Sequence, residues 1–80
     1  MPDTKRKTFI TLEYLRKKYG FTQEQFASFL GLKNKSSYSA KVNGRSPFTY
    51  YEMIIIKAAL NKKAEKAGDE LLKVDDIFFD

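Results

Sequence analysis

Residues 22–45 read TQEQFASFLGLKNKSSYSAKVNGR. Thr22-Gln23-Glu24-Gln25 is the pattern of a capping box, in which the Thr22 hydroxyl accepts from the Gln25 backbone N–H and the Gln25 side chain returns the contact; a helix starts here. Phe26, Ala27 and Leu30 make its inward stripe, flanked by Phe21 and Leu32, and Ala27 is small where two helices must approach closely. Gly31 supplies the positive φ that a sharp turn needs. Asn34 is a good cap for a next helix running to about Asn43, with Tyr38 and Val42 as its inward pair and Gly44 as its stop. Helix, glycine turn, short helix and glycine stop make a helix-turn-helix pattern.

Working outward, a first helix is expected over about 12–19. Thr11 is placed to cap it, Glu13 sits in its first turn, and Ile10 and Leu15 hold the two positions of a hydrophobic staple. Leu12, Leu15 and Tyr19 share one face, and Gly20 ends the helix. On the other side, Arg45-Ser46-Pro47 is a connector, because proline holds Ser46 away from helix. Thr49-Tyr50-Tyr51-Glu52 is a second capping box, and the helix it opens carries Tyr50, Met53, Ile56 and Leu60 as one stripe, with Ile54 and Ile55 off it. A helix apolar over most of its girth must be covered on more than one side. The acidic C-terminal stretch offers that cover in Leu71, Leu72, Val74, Ile77, Phe78 and Phe79. Gly68 is expected to end the fourth helix or a short extension of it, with Asp69 placed to cap a further turn. No strand pattern of useful length is present. The expected fold is all-α, a bundle of four to five short helices: residues 1–8 form a flexible basic N-terminal arm and residues 9–80 a single domain.

Eighty residues suffice for one small core, and a chain of this size buries roughly 60% of its unfolded surface. The absence of cysteine removes disulfides and cysteine-held zinc, and the absence of histidine removes the usual general base and commonest metal ligand. Asp69-Glu70 and Asp75-Asp76 are adjacent pairs whose members do not face each other on a helix, so they read as a solvated acidic end. No enzyme activity, cofactor, metal or small-molecule ligand is therefore expected. The longest aliphatic run, residues 53–56, is too short for a bilayer, and the basic start does not lead into a signal-peptide apolar region, so a soluble cytoplasmic protein is expected. Charge is unevenly distributed: residues 1–45 carry ten Lys/Arg and three Asp/Glu, whereas residues 46–80 carry five and seven. The positive half contains the helix-turn-helix pattern, as a polyanion-binding face requires.

With Tyr38 and Val42 inward, a rotation of about 100° per residue puts Ser36, Ser37, Ala40 and Asn43 on the opposite face of the third helix. Lysine can read guanine, serine reads less selectively, and alanine can touch a thymine methyl. Lys33, Lys41 and Arg45 are candidate phosphate contacts, and Lys5-Arg6-Lys7 is either a disordered tail or an arm in the minor groove. Tyr50 and Tyr51 fit core packing by their helical spacing better than they fit base stacking.

The set Leu15-Arg16, Gly20-Phe21-Thr22-Gln23, Phe26-Ala27, Leu30-Gly31-Leu32, Asn43-Gly44-Arg45 and Val74-Asp75-Asp76-Ile77-Phe78 resembles the Cro/repressor-type helix-turn-helix family, the lambda-repressor-like or XRE class, and SYSAKVNGR followed by FTYYEM resembles its small prophage regulators. The resemblance implies a lambda-repressor-like bundle and a transcriptional regulator, Cro-like or repressor-like, that binds double-stranded operator DNA as a homodimer and associates with the nucleoid. By position it implies base reading by Lys35, Ser36, Ser37, Ser39 and Ala40, and phosphate contacts from Thr22, Gln23, Lys33, Lys41, Asn43 and Arg45. Ile54, Ile55, Phe78 and Phe79 are candidate dimer-interface residues. Arg16 matches an arginine that in some relatives pairs with a glutamate at the end of the third helix; here that region reads Val42-Asn43-Gly44, so Arg16 is expected to turn to phosphate or to an acid such as Glu52. The segment 61–73 is longer than the usual link and is expected to hold an extra element. The alternative is a protein-interaction module, an antitoxin or anti-repressor, using the acidic aromatic C-terminal tail.

Overall fold

Among the described residues five helices follow in chain order: α1 (Ile10–Lys18), α2 (Gln23–Phe29), α3 (Lys35–Val42), α4 (Tyr50–Ala67) and α5 (Val74–Phe78). The computed structural model describes residues 8–79, and among these there is no strand. The expected N-terminal arm, apart from Thr8, lies outside the described residues.

Local sequence sets most of the boundaries. At α2, Thr22 Oγ1 accepts from the Gln25 N–H at 3.0 Å while Gln25 Oε1 accepts from the Thr22 N–H at 2.8 Å. Phe21, just before this cap, packs its ring 5.0 Å from that of Phe26, a hydrophobic staple. At α4 the same box forms between Thr49 and Glu52. Asn34 Oδ1 caps α3 by accepting from the Ser37 N–H at 3.1 Å.

Four helices end alike, with a glycine at positive φ and the pair of backbone bonds of a Schellman motif. After α2, Gly31 N–H reaches Ser28 O and Leu32 N–H reaches Ala27 O, which folds the chain sharply into α3. Gly31 has φ +71°, and a Cβ there would meet nothing within 4 Å, so backbone conformation alone makes glycine the residue of choice.

Several expectations are corrected. α1 is capped by Phe9 and not Thr11, which lies inside the first turn. Phe9 is drawn inward, its ring 5.1 Å from Phe48 and 5.9 Å from Phe78, and its N–H donates to Val42 O at 3.1 Å. The helix therefore begins two residues early, and Ile10 points to solvent instead of stapling to Leu15. In α4 the buried line is Ile56, Leu60 and Ala64, with Met53 half-buried, and Tyr50 is 72% exposed at the first turn. Finally, 61–67 is no separate element but the continuation of α4. Gly68 ends it, and Asp69 does not cap a helix; its carboxylate accepts from the Tyr19 hydroxyl at 2.6 Å.

Asn61 on α4 holds the returning chain: its amide accepts from the Leu72 N–H at 2.7 Å and donates to the Leu72 carbonyl at 2.9 Å. α5 then lies on α1 and α4 and delivers Ile77 and Phe78 to the core. Phe48, on the connector before α4, is the hub of this core. Its ring meets Phe9, Tyr38 (6.2 Å) and Phe78 (5.3 Å), all at edge-on angles. Among the described residues, no helix is long and apolar enough to cross a membrane.

Gly31→Ala is expected to lower unfolding free energy by about 1–2 kcal/mol without change of structure, because only the left-handed backbone is penalised. Urea unfolding checks it, and Gly31→Asn should cost less.

Candidate nucleic-acid interface

The orientation of α3 is fixed by one carboxylate. Glu13, on α1, accepts from Arg16 Nε at 2.9 Å and Arg16 Nη2 at 2.8 Å, from Gln23 Nε2 on α2 at 3.0 Å, and from the Tyr38 hydroxyl on α3 at 2.8 Å. Arg16 Nη1 donates in turn to Phe21 O at 2.6 Å, in the α1–α2 turn. Arg16 therefore meets neither phosphate nor Glu52, because its acid is supplied from within its own helix, three residues earlier. Sequence reasoning placed Glu13 in the first turn for its charge alone. The i, i+3 Glu–Arg spacing was the available signal for the pair, but Gln23 and Tyr38 join it only through the tertiary fold.

Burial of the Glu13 carboxyl opposes its ionisation, but hydrogen bonds from Arg16, Tyr38 and Gln23, with the Arg16 charge, outweigh that and hold it below its ordinary value. The hydrogen bond to Glu13 raises Arg16 in spite of burial. Burial, with Glu13 beside it, pushes the Tyr38 phenol far above its usual range. The network is thus a carboxylate, a guanidinium and a neutral phenol at neutral pH.

Tyr38 is fully buried and Val42 nearly so, which rolls the opposite side of α3 outward. Lys35 and Ser36 are exposed, while Ser37, Ser39 and Ala40 are half-buried. Lys33 and Asn34 are exposed just before the helix, and Asn43 and Arg45 just after it. No acidic residue occurs between Glu24 and Glu52, so this surface carries Lys33, Lys35 and Arg45 with no anion from its own segment. The Asn43 amide donates to Ser39 Oγ at 3.2 Å, which ties those two side chains along one edge. Thr22 is occupied as the α2 cap, and the Gln23 amide is directed to Glu13.

Lys41 departs from its expected place. Its ammonium donates to Pro47 O at 2.9 Å and pairs with Glu52 at 3.0 Å, with only 12% of the side chain exposed. It also lies over the Phe48 ring. Lys41 is therefore a brace from α3 to the start of α4 and not a cation offered to phosphate. Among the candidate dimer residues, Phe78 is fully buried and belongs to the core; Phe79 is 56% exposed, and Ile54 and Ile55 are half-buried.

Comparison with protein-family models, with curated proteins and with solved structures gave no match.

Glu13→Gln is expected to destabilise the protein by about 2–4 kcal/mol, since it leaves Arg16 buried without its anion. Because the folded Glu13 value lies below the unfolded one, its contribution is complete above the unfolded value near 4.5 and is lost as pH falls through the folded value. Denaturation measured against pH should show this acid limb in the wild type and a flatter one in Glu13→Gln. Lys41→Met should lower stability while leaving the salt dependence of any duplex binding unchanged.

Proposed function

We propose that the protein is a sequence-specific regulator of transcription that binds double-stranded DNA, with α2 and α3 as a helix-turn-helix within a lambda-repressor-like bundle and α3 in the major groove. The observation that carries this is the outward side of α3 and its flanks, which carries Lys33, Lys35 and Arg45 in a segment without acidic residues and is held in orientation by the part-buried Tyr38–Glu13 bond. A helix presenting small polar side chains between cations suits a groove bounded by phosphates, and a rigid mount lets base contacts discriminate. The residue pattern of the Cro/repressor-type family supports the same reading.

In this reading Lys35 and Ser36, at the exposed N-terminal end of α3, reach base edges first, with Ser37, Ser39 and Ala40 behind them. Lys33, Asn43 and Arg45 take phosphates on the two sides. Thr22 and Gln23 contribute through the position of α2, since their side chains already have partners. The protein binds as a homodimer on a two-fold operator and acts in the cytoplasm on nucleoid DNA. The exposed Leu71 and Phe79 on the acidic C-terminal stretch favour a protein contact there, for which a second copy is the partner argued below.

The two residue classes should separate in binding assays over a salt series. Arg45→Ala should weaken all duplexes alike and flatten the slope of log affinity against log salt by about 0.9. Lys35→Ala should change the preferred sequence, at a cost of about 1–3 kcal/mol on the preferred site. Unchanged duplex binding by both variants would refute the assignment of α3 as the reading element.

A further inference from the structure

On the side of the molecule formed by α2 and α4, an open groove of about 390 Å³ is lined by Phe21, Phe29, Ala58, Ala59, Lys62 and Lys63. Its floor is apolar: Phe29 is 45% exposed although its ring packs against those of Phe21 and Phe26. Its rim is cationic, with Lys63 Nζ over the Phe21 ring at 5.7 Å. Lys66 extends the positive charge along α4, and Glu65 is the acid nearest in sequence. The space falls within the range of binding clefts, and the lining asks for an aromatic or aliphatic group that brings negative charge with it.

The same chain displays a surface of that composition. In α5, Ile77 and Phe78 point inward, while Asp75, Asp76 and Phe79 are exposed. Asp75 and Phe79 are four residues apart, and the Phe79 N–H closes on Asp75 O at 3.0 Å, which keeps the two exposed residues within one turn at the helix end. Asp76 is spent in part on the Lys73 N–H, at 2.9 Å. α5 packs on α1 and α4, and no residue of α5 lines the groove.

We propose that the groove between α2 and α4 receives the Phe79 end of α5 from a second copy of the chain, with the ring against Phe29, Ala58 and Ala59 and Asp75 facing Lys62 and Lys63. Burying an aromatic ring supplies the attraction, and the opposed charges select the orientation of the partner. Self-association then uses two different surfaces, so each copy can give its α5 end and receive another. The inference rests on the self-association in the reading above and not on its DNA contacts, and the two fail separately.

The test is sedimentation of the full chain at concentrations up to about 100 μM, a range that reports association well weaker than micromolar. The wild type is expected to self-associate. Phe79→Ser, and separately the double change Lys62→Glu with Lys63→Glu, should each raise the dissociation constant at least about tenfold, or 1.4 kcal/mol. Adding Asp75→Lys to the double lysine variant should restore association, which no loss of folding could do. Circular dichroism melts confirm that each variant is folded, and binding to a duplex with one half-site reports the DNA contacts independently. A wild type that stays monomeric throughout would overturn the proposal. So would association that all these variants leave unchanged, a result that would leave the groove to a foreign acidic partner.

Discussion

A single carboxylate sets the geometry of this protein. Glu13 takes hydrogen bonds from side chains on α1, α2 and α3, and it does so in a partly buried position where an unpaired charge would be costly. Its value as a constraint lies in direction. Arg16 fixes the carboxylate in its plane, Gln23 ties it to the start of α2, and Tyr38 can meet it only if α3 is rolled so that its serine-rich side faces outward. The Arg16 bond to Phe21 O adds the α1–α2 turn to the same unit. Burial of Tyr38 and Val42 selects the inward side of this short helix, and the network fixes the same side by direction.

The aromatic core complements that constraint. Phe48 meets Phe9, Tyr38 and Phe78, so residues far apart in sequence share one set of edge-on contacts, and α5 closes over it. Lys41 belongs to the same joint: by bonding Pro47 O and Glu52 it links the last turn of α3 to the first turn of α4. A positive charge is thereby withdrawn from the outer surface in exchange for a fixed angle between the two helices.

Legibility followed the range of the interactions. Capping at Thr22, Asn34 and Thr49 and the glycine stops depend on residues within a few positions of one another, and those features could be read from the chain. Tyr38 and Val42 were recognisable because a short polar helix with two apolar residues four apart has one inward side. The start of α1 was not, because a polar cap at Thr11 competes with the tertiary pull on Phe9, and the core wins. Tyr50 was misplaced because an apolar stripe extended into a first turn that lies beyond the core. Of the candidate site residues, Lys33, Lys35, Ser36 and Arg45 are exposed, whereas Lys41 and Phe78 are engaged in contacts made with distant segments. Phe48 carried a signal that went unused: it occupies the position before the Thr49 cap where an apolar staple residue belongs.

These features leave α3 an outward polar surface with cations at both ends, on which the proposed reading of a duplex rests. The most direct test is selection of bound duplexes from a random pool by this chain. The expected result is enrichment of a short sequence repeated with two-fold symmetry, its centres about 10 base pairs or a multiple apart, and loss of one position of that sequence with Lys35→Ala. A selected pool indistinguishable from the input at low salt would contradict DNA recognition by α3.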